Sequence, residues 1–549
     1  VLPPLPNLKP RYFLLVLALA VMMPAQIDVN ALPRREERSR QYDVLHYKIR
    51  LKFDQEKRSF DGETQITLRP LQNNFDTLVL DAETFRVTGV EQLKFEQSPG
   101  QLTVHLARAY RYHEQFTVTV TYRAENVAID PEQYGMPKGY VLGLAFKPAT
   151  KSHPRLIHTL SFPEGARHWF PCYDHPNDKA TSEVIATVDA SDQVISNGIL
   201  KGVTEDAARH EKTFHWLQEK PHSTYLYVLV VGPYVKVADT AGKLPISYWV
   251  YARDAQNAQR TFGKTRAIIE FLERELGVAY PWPKYDQIAL PDFGGGAEST
   301  NATVIGDGTL HDAKAEKDFP SHWLIAHEAA HQWWGDLLTM RDWSQTWLNE
   351  SFATYYEYLY MKHLLGEEEG ALNLLAKKQA YLAEAREKYQ RPIVLDRWAW
   401  PNDNFDRHTY QKGGVVLAML RSVMGNEPFR RSITHYLKKH AFGSVDTHDL
   451  QIAIREASGQ NLDWFFEQWI YRAGHPVLEV TYTWDGRAVE LHVKQQKQPY
   501  RLPISVAVTT ADGKRSHPIE ITRTEESFRL PCGEKPLLVH FDEGNVLLK

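Results

Sequence analysis

From Tyr42 to about Tyr234 apolar and polar residues alternate with a period of two. Tyr47, Ile49, Leu51 and Phe53 take turns with polar neighbours, and the rhythm returns in Phe116, Val118, Val120 and Tyr122 and again in Val184, Ala186 and Val188. Turn pairs such as Asp61-Gly62 and Asn197-Gly198 fall between these runs. The pattern predicts an all-β domain over 42–234, built as a large curved sheet or a sandwich. After one more β segment, Ile246 to Tyr251, the spacing becomes helical over Ala258 to Leu276, with Gly277 as the stop. Helical runs then dominate to about Tyr471. They include Gly370 to Glu387, Gly413 to Met424, Pro428 to His440 and Thr447 to Ala457. Past Gly474-His475-Pro476 alternation resumes in Val477, Leu478, Val480 and Tyr482, in Leu502, Ile504, Val506 and Val508, and in Leu537, Val539 and Phe541. This predicts a small β-sandwich over 476–549 and makes the chain an α+β multidomain protein.

Composition changes this picture little. The 549 residues suffice for about three domains, and 43% apolar and 24% charged residues are ordinary for a globular protein. A net charge of -4 leaves no basic footprint for nucleic acid. Cys172 and Cys532 stand too far apart to suggest a disulfide framework and read as buried thiols. The first residues say more. Lys9 and Arg11 precede an apolar run from Tyr12 to Met23, which Pro24-Ala25 breaks. A basic flank, a short apolar core and small residues predict a signal peptide over 1–25 and an exported protein, periplasmic or extracellular. The alternative is a short membrane anchor through residues 12–23. Residues 26–41, rich in Arg and Glu, read as a solvated linker.

The chemistry gathers between Asp318 and Glu350. Trp323 to Trp334 reads as a buried helix bearing His327-Glu328-x-x-His331. Histidines four apart share a helix face and can reach one metal ion, with Glu328 turned toward a water held there. Alone, the motif fits equally well a helix with two histidines on its polar edge. Downstream, Trp347-Leu348-Asn349-Glu350 opens a second helical run, continuing to Leu365, with a carboxylate at its start. His327, His331 and Glu350 would then leave one ligand position open, the pattern of a catalytic zinc.

Taken in order, Gly295-Gly296-Ala297-Glu298-Ser299, His327-Glu328-x-x-His331, Glu350 in Trp-Leu-Asn-Glu, and Tyr410-Gln411-Lys412-Gly413 resemble the aminopeptidase N family of zinc metallopeptidases, the gluzincins. Ala166 to Asp174 and Ser223 to Leu226 look like further family landmarks. The resemblance implies a saddle-like β domain over 42–234, a thermolysin-like catalytic domain over 235–475 and the terminal sandwich. Larger members carry a further helical C-terminal domain over the site. The sequence stops without one, which leads to the expectation of a more open site or one covered by a partner subunit.

It also implies one zinc per chain on His327, His331 and Glu350, with Glu328 as general base and Tyr410 as donor to the oxyanion. Glu298 would bind the free amine of a peptide, and Gly294, Gly295, Gly296 and Ala297 would let the substrate backbone lie alongside. The sequence departs from the family pattern at Ala297 and Ser299, and at Phe162, where a second amine-binding carboxamide or carboxylate is usual; Glu164 would need a local shift to replace it. The expected reaction is hydrolysis of the N-terminal peptide bond, with peptides bearing a free N-terminus as partners. A zinc hydrolase of another bond, as in epoxide-opening relatives, and a non-catalytic binding protein on the same fold are the alternatives. A homo-oligomer is left open.

Overall fold

The computed structural model of this chain describes residues 28–549, so the expected signal peptide or anchor at 1–25 lies outside the described residues. Among the described residues no helix is long and apolar enough to cross a membrane.

The alternating segments form sheets. Seven strands assemble in the order Ile199–Asp206, Glu211–His222, Ala180–Asp189, Tyr42–Asp54, Ser59–Pro70, Phe116–Ala124 and Arg86–Val90. All neighbours are antiparallel except Tyr42–Asp54 and Ala180–Asp189, which run parallel. Tyr47, Ile49 and Leu51 point into the core while Lys48, Arg50 and Lys52 face outward, as a period of two requires. A three-stranded sheet (Phe75–Asp81, Gln101–Tyr110, Lys94–Ser98) and a four-stranded sheet (Gln193–Ser196, Leu229–Gly232, Leu156–Leu160, Gly143–Lys147) share this core.

His158, in Leu156–Leu160, is fully buried with neither ring nitrogen hydrogen-bonded. Burial holds its imidazole down at about 3. The unfolded chain therefore binds a proton between pH 6.5 and 3 that the native state refuses, and stability present above 6.5 is lost as pH falls. The expected loss from this residue is about 1.4 kcal/mol per pH unit across that window. Urea midpoints at pH 7 and pH 5 should draw closer together in His158→Leu than in the parent; an unchanged gap would remove His158 as the source.

The middle of the chain corrects the expectation of an almost wholly helical region. It contains a five-stranded mixed sheet in the order Tyr234–Asp239, Ile246–Tyr251, Tyr285–Leu290, Ala302–Gly306 and Gly296–Ala297. Every residue of Tyr285–Leu290 and of Ala302–Gly306 is buried, so neither strand shows alternation. The single run expected over Ala258 to Leu276 is two helices, Ala255–Phe262 and Thr265–Leu276, and the helix expected from Gly370 begins at Glu367. Helices His322–His331, Trp347–Leu365, Glu367–Glu387, Gly413–Met424, Asn426–Lys439 and Thr447–Ser458 pack around this sheet.

Two three-stranded antiparallel sheets follow: Leu478–Trp484, Ala488–Gln495 and Glu525–Pro531, then Gly513–Ile521, Leu502–Thr510 and Leu538–Phe541. Val489, Leu491 and Val493 of one and Val506, Val508 and Ile521 of the other belong to the same apolar cluster as the helices. The architecture is thus multidomain α+β, with a β-rich N-terminal part and a helical region carrying the site. Cys172 and Cys532 are both buried free thiols.

The stretch read as a solvated linker is largely exposed yet not loose. Arg34 pairs with Asp396 at 2.7 Å, Arg35 donates to the carbonyls of Trp398 and Ala399, and Arg397 donates back to the carbonyls of Asn30 and Leu32. These polar ties fix it to the loop that leads into the Tyr410 turn.

Candidate active site

Helix His322–His331 buries Ile325, Ala326, Ala329 and Ala330 completely, which leaves His327, Glu328 and His331 facing a cleft on its other side. Glu350 enters from the first turn of Trp347–Leu365, next to a residue that is locked in place. Asn349 accepts from the backbone N–H of Met340 at 3.1 Å and donates to the Tyr225 hydroxyl at 3.0 Å.

Three atoms converge. His327 Nε2 and His331 Nε2 lie 3.2 Å apart, and Glu350 Oε2 lies 3.4 and 3.2 Å from them. A tetrahedral ion with ligand bonds of about 2.0–2.1 Å requires donor separations of roughly 3.3–3.4 Å. This triangle therefore fits zinc. Its charge state agrees, because Glu350 Oε2 is buried without a hydrogen bond. Burial would depress His327, but its contacts with Glu350 and Glu357 outweigh that and lift it to about 9. The cluster is short of positive charge.

The outer nitrogens set the tautomers. His331 Nδ1–H donates to the Trp334 carbonyl at 2.8 Å, and His327 Nδ1 faces Glu357 Oε2 at 3.4 Å, so both Nε2 lone pairs are left for a metal. Glu357 is itself paired with Lys377 Nζ at 2.9 Å. The sequence reading missed both residues. Glu357 was findable, because it stands two helical turns after Glu350 and so shares its face; Lys377 comes from the next helix and leaves no local signal.

Glu328 sits beside the triangle. Burial raises its carboxyl to about 7, with Glu298 and Glu350 adding to the effect against the two histidines. A carboxyl in that range exchanges a proton at neutral pH. It rests against the backbone of Gly296, where an added Cβ would lie 2.3 Å from the Glu328 carboxyl. Gly296→Ala is therefore expected to displace Glu328 and lower turnover about a hundredfold, with little change in thermal stability. Steady-state rates and a melting curve check this, and a normal rate would show that Glu328 tolerates the shift.

Gly296 and Ala297 form the edge strand of the mixed sheet, paired antiparallel with Ile305 and Val304. Their other side faces the cleft, where an extended peptide can add as a further strand. Gly295 takes a φ of 78°, which a side chain would resist. Glu298 follows, buried, with its backbone carbonyl accepting from Gln332 at 3.2 Å; burial pushes its carboxyl up. Ser299 accepts through its carbonyl from the N–H of Ala302 and closes this turn.

Tyr410 lies on a π-helical turn, His408–Lys412, its ring 6.1 Å from that of His327 and inclined by 23°. Burial and the charges of Glu350, Glu298 and Glu328 hold its phenol well above the usual range, so it remains a donor. The Tyr-x-Lys-Gly spacing has a steric origin. A Cβ on Gly413 would fall 1.8 Å from Ser351 Oγ, the residue after Glu350, and that hydroxyl donates to the Thr409 carbonyl at 2.5 Å. Glycine lets the tyrosine turn lie flat on the Glu350 helix.

The cleft has a volume of about 590 Å³. Phe162 lines it and meets Phe405 edge-on at 4.7 Å, in an aromatic group with Tyr225 and Trp343. Glu164 does not replace it: its carboxylate pairs with Arg167 at 2.9 Å and accepts from Trp343 Nε1 at 3.1 Å. A second group of metal-type donors, Glu384, Asp406 and His408, is already served by a cation, since Arg391 holds Asp406 through Nε and Nη2 at 2.8 and 2.7 Å.

Comparison with known proteins agrees with this geometry. Residues 43–226 match the peptidase M1 N-terminal domain and residues 260–469 the peptidase family M1 domain. Among curated relatives, the Tricorn protease-interacting factor F2 of Thermoplasma volcanium is 33% identical over 66% of this chain and 47% of its own. The probable aminopeptidase 1 of Sulfurisphaera tokodaii is 27% identical over 86% of this chain and 59% of its own. The glutamyl aminopeptidase of Bos taurus is 28% identical over 79% and 47%. The chain thus spans about half to three fifths of the length of these relatives. A crystal structure of Legionella pneumophila aminopeptidase A in complex with aspartic acid shares the fold, with a TM-score of 0.79 at 19% identity over 92% of this chain and 59% of that one. Since both domain types match in order along one polypeptide, the chain belongs to peptidase family M1.

Proposed function

We propose that the chain is a zinc-dependent aminopeptidase that removes the first residue from peptides. The observation that carries this reading is the His327, His331 and Glu350 triangle with Glu328 beside it, opening on a cleft that also holds Glu298. The names of the relatives support it. The finer domain reading goes with it: a saddle-like β domain, a thermolysin-like catalytic domain and a terminal β-sandwich. So does export directed by residues 1–25, which composition alone supports.

His327, His331 and Glu350 would hold the ion. When bound there, zinc supplies Lewis-acid polarisation of a carbonyl and acidifies water. The chain's own groups do the rest. Glu298 receives the α-ammonium of the substrate, so the chain cannot continue past that point and only the terminal bond is presented. The edge strand Gly296–Ala297 aligns the backbone. Glu328 takes a proton from the attacking water and returns it to the departing nitrogen. Tyr410 donates its hydroxyl hydrogen to the oxyanion that develops on the former carbonyl.

A panel of aminoacyl arylamides, assayed with and without chelator, tests the proposal directly. Free-amine substrates should be cleaved, chelator should stop the reaction and added zinc should restore it. N-acetylated versions should be cut slower by about a hundredfold or more, because capping the amine leaves the buried Glu298 charge unpaired. Equal rates on blocked and free substrates would rule out amine recognition by Glu298.

A further inference from the structure

Near Glu298 the cleft is walled by hydrocarbon. Met136, Leu160, Phe162, Phe293 and Ala297 line it and pack together in one apolar cluster. Phe162 and Phe405, both half-buried, line the same cleft and set their rings at 89° to each other with centroids 4.7 Å apart, which makes a right-angled aromatic corner. Glu298 is close by. It follows Ala297 directly in the chain, and its charge, added to burial, holds the Tyr225 phenol well above its usual range, while the Tyr225 ring packs on Phe162 at 6.2 Å.

The polar side chains packed around this corner are already engaged. The Tyr225 hydroxyl donates to the Gly335 carbonyl at 3.2 Å and accepts from Asn349, Trp343 Nε1 donates to Glu164, and Ser161 Oγ donates to the Tyr227 carbonyl at 2.6 Å. Of the other acids in the cleft, Glu350 stands in the metal triangle with Glu328 beside it, and Glu357 is paired with Lys377. Glu298 therefore meets the substrate amine with two carboxylate oxygens, and the neighbouring wall is carbon. A primary ammonium brings three N–H groups, and a buried donor turned to an apolar wall is costly. A secondary ammonium brings two and carries a carbon in place of the third.

We propose that this end of the cleft is built for a secondary amine, so that the favoured substrates begin with proline or an N-methylated residue. The inference rests on the aminopeptidase reading and names the class of first residue. A secondary ammonium keeps its positive charge for Glu298 and lays its carbon substituent against Phe162 and Phe405. Aromatic faces attract alkylated ammonium groups, and the carbon they cover is removed from water. Proline suits the wall in the same way, because its ring joins the nitrogen to the side chain and presents both as one apolar surface.

The test compares the arylamides of alanine, N-methylalanine and proline on the intact chain, with Phe162→Gln and Phe162→Leu. In the parent protein N-methylalanine and proline should exceed alanine in kcat/KM by about tenfold, the worth of a methyl group buried on an aromatic face. The difference should lie in KM. Phe162→Gln supplies an acceptor for the third N–H and should bring the ratio of N-methylalanine to alanine to one or below. Phe162→Leu keeps the apolar wall without the aromatic face and should retain part of it. A parent protein that prefers alanine would overturn the proposal, and is the result expected if the buried, unpaired carbonyl oxygen of Gln411 serves the third N–H. A ratio that Phe162→Gln leaves unaltered would overturn it too. Both results leave the aminopeptidase reading intact, whereas a parent protein that cleaves no aminoacyl arylamide overturns that reading instead.

Discussion

Glu328→Gln is expected to lower turnover about a thousandfold, within the range that general base catalysis contributes, while the protein still binds one zinc per chain. The amide keeps the shape of the side chain and its fit against Gly296, so the packing of the helix does not change. What it loses is the capacity to accept a proton. The carboxyl it replaces is held at about 7 by burial, so near neutrality it sits between its two protonation states. Metal content by atomic absorption and single-turnover rates separate the two effects. A variant that keeps zinc and a near-normal rate would require another base; one that loses zinc would place Glu328 among the residues that shape the metal site.

Tyr410→Phe is the second large effect, a fall in kcat of about a hundredfold with a much smaller change in KM. The hydroxyl is aimed into the cleft from a turn braced by Ser351 and Gly413, so the phenyl ring should keep its place beside His327. Because burial and three carboxylates keep the phenol protonated, the lost group is a donor rather than a base. A rise in KM at constant kcat would mean that Tyr410 binds substrate and does not stabilise the charge that develops on it. Measuring both constants on one arylamide decides between these outcomes.

Much of this was visible in the chain itself, for reasons that differ from residue to residue. Strands such as Tyr42–Asp54 were legible because one face is buried and the other wet, which writes alternation into the sequence. His327, Glu328 and His331 were legible because a helix brings positions four apart together. Glu350 and Tyr410 were legible only through the company of neighbouring motif residues. Strands Tyr285–Leu290 and Ala302–Gly306 were hidden by being buried on both faces. Lys377 and the corner that Phe405 makes with Phe162 were hidden because they depend on distant segments meeting. The tie between Arg34, Arg35 and residues 396–399 spans more than half the chain and has no local sign at all.

The parallel pairing of Tyr42–Asp54 with Ala180–Asp189 bears on how the molecule comes into being. On the ribosome the first strand can zip onto Ser59–Pro70 almost at once, since a short turn joins them. Its opposite edge must wait until Ala180 has been made, many seconds later at a synthesis rate of about 5–20 residues per second. During that interval the nascent chain carries a long strand with an open flank, the kind of edge to which other chains adhere. The seven-stranded sheet is therefore open to off-pathway pairing until Ala180–Asp189 has been made.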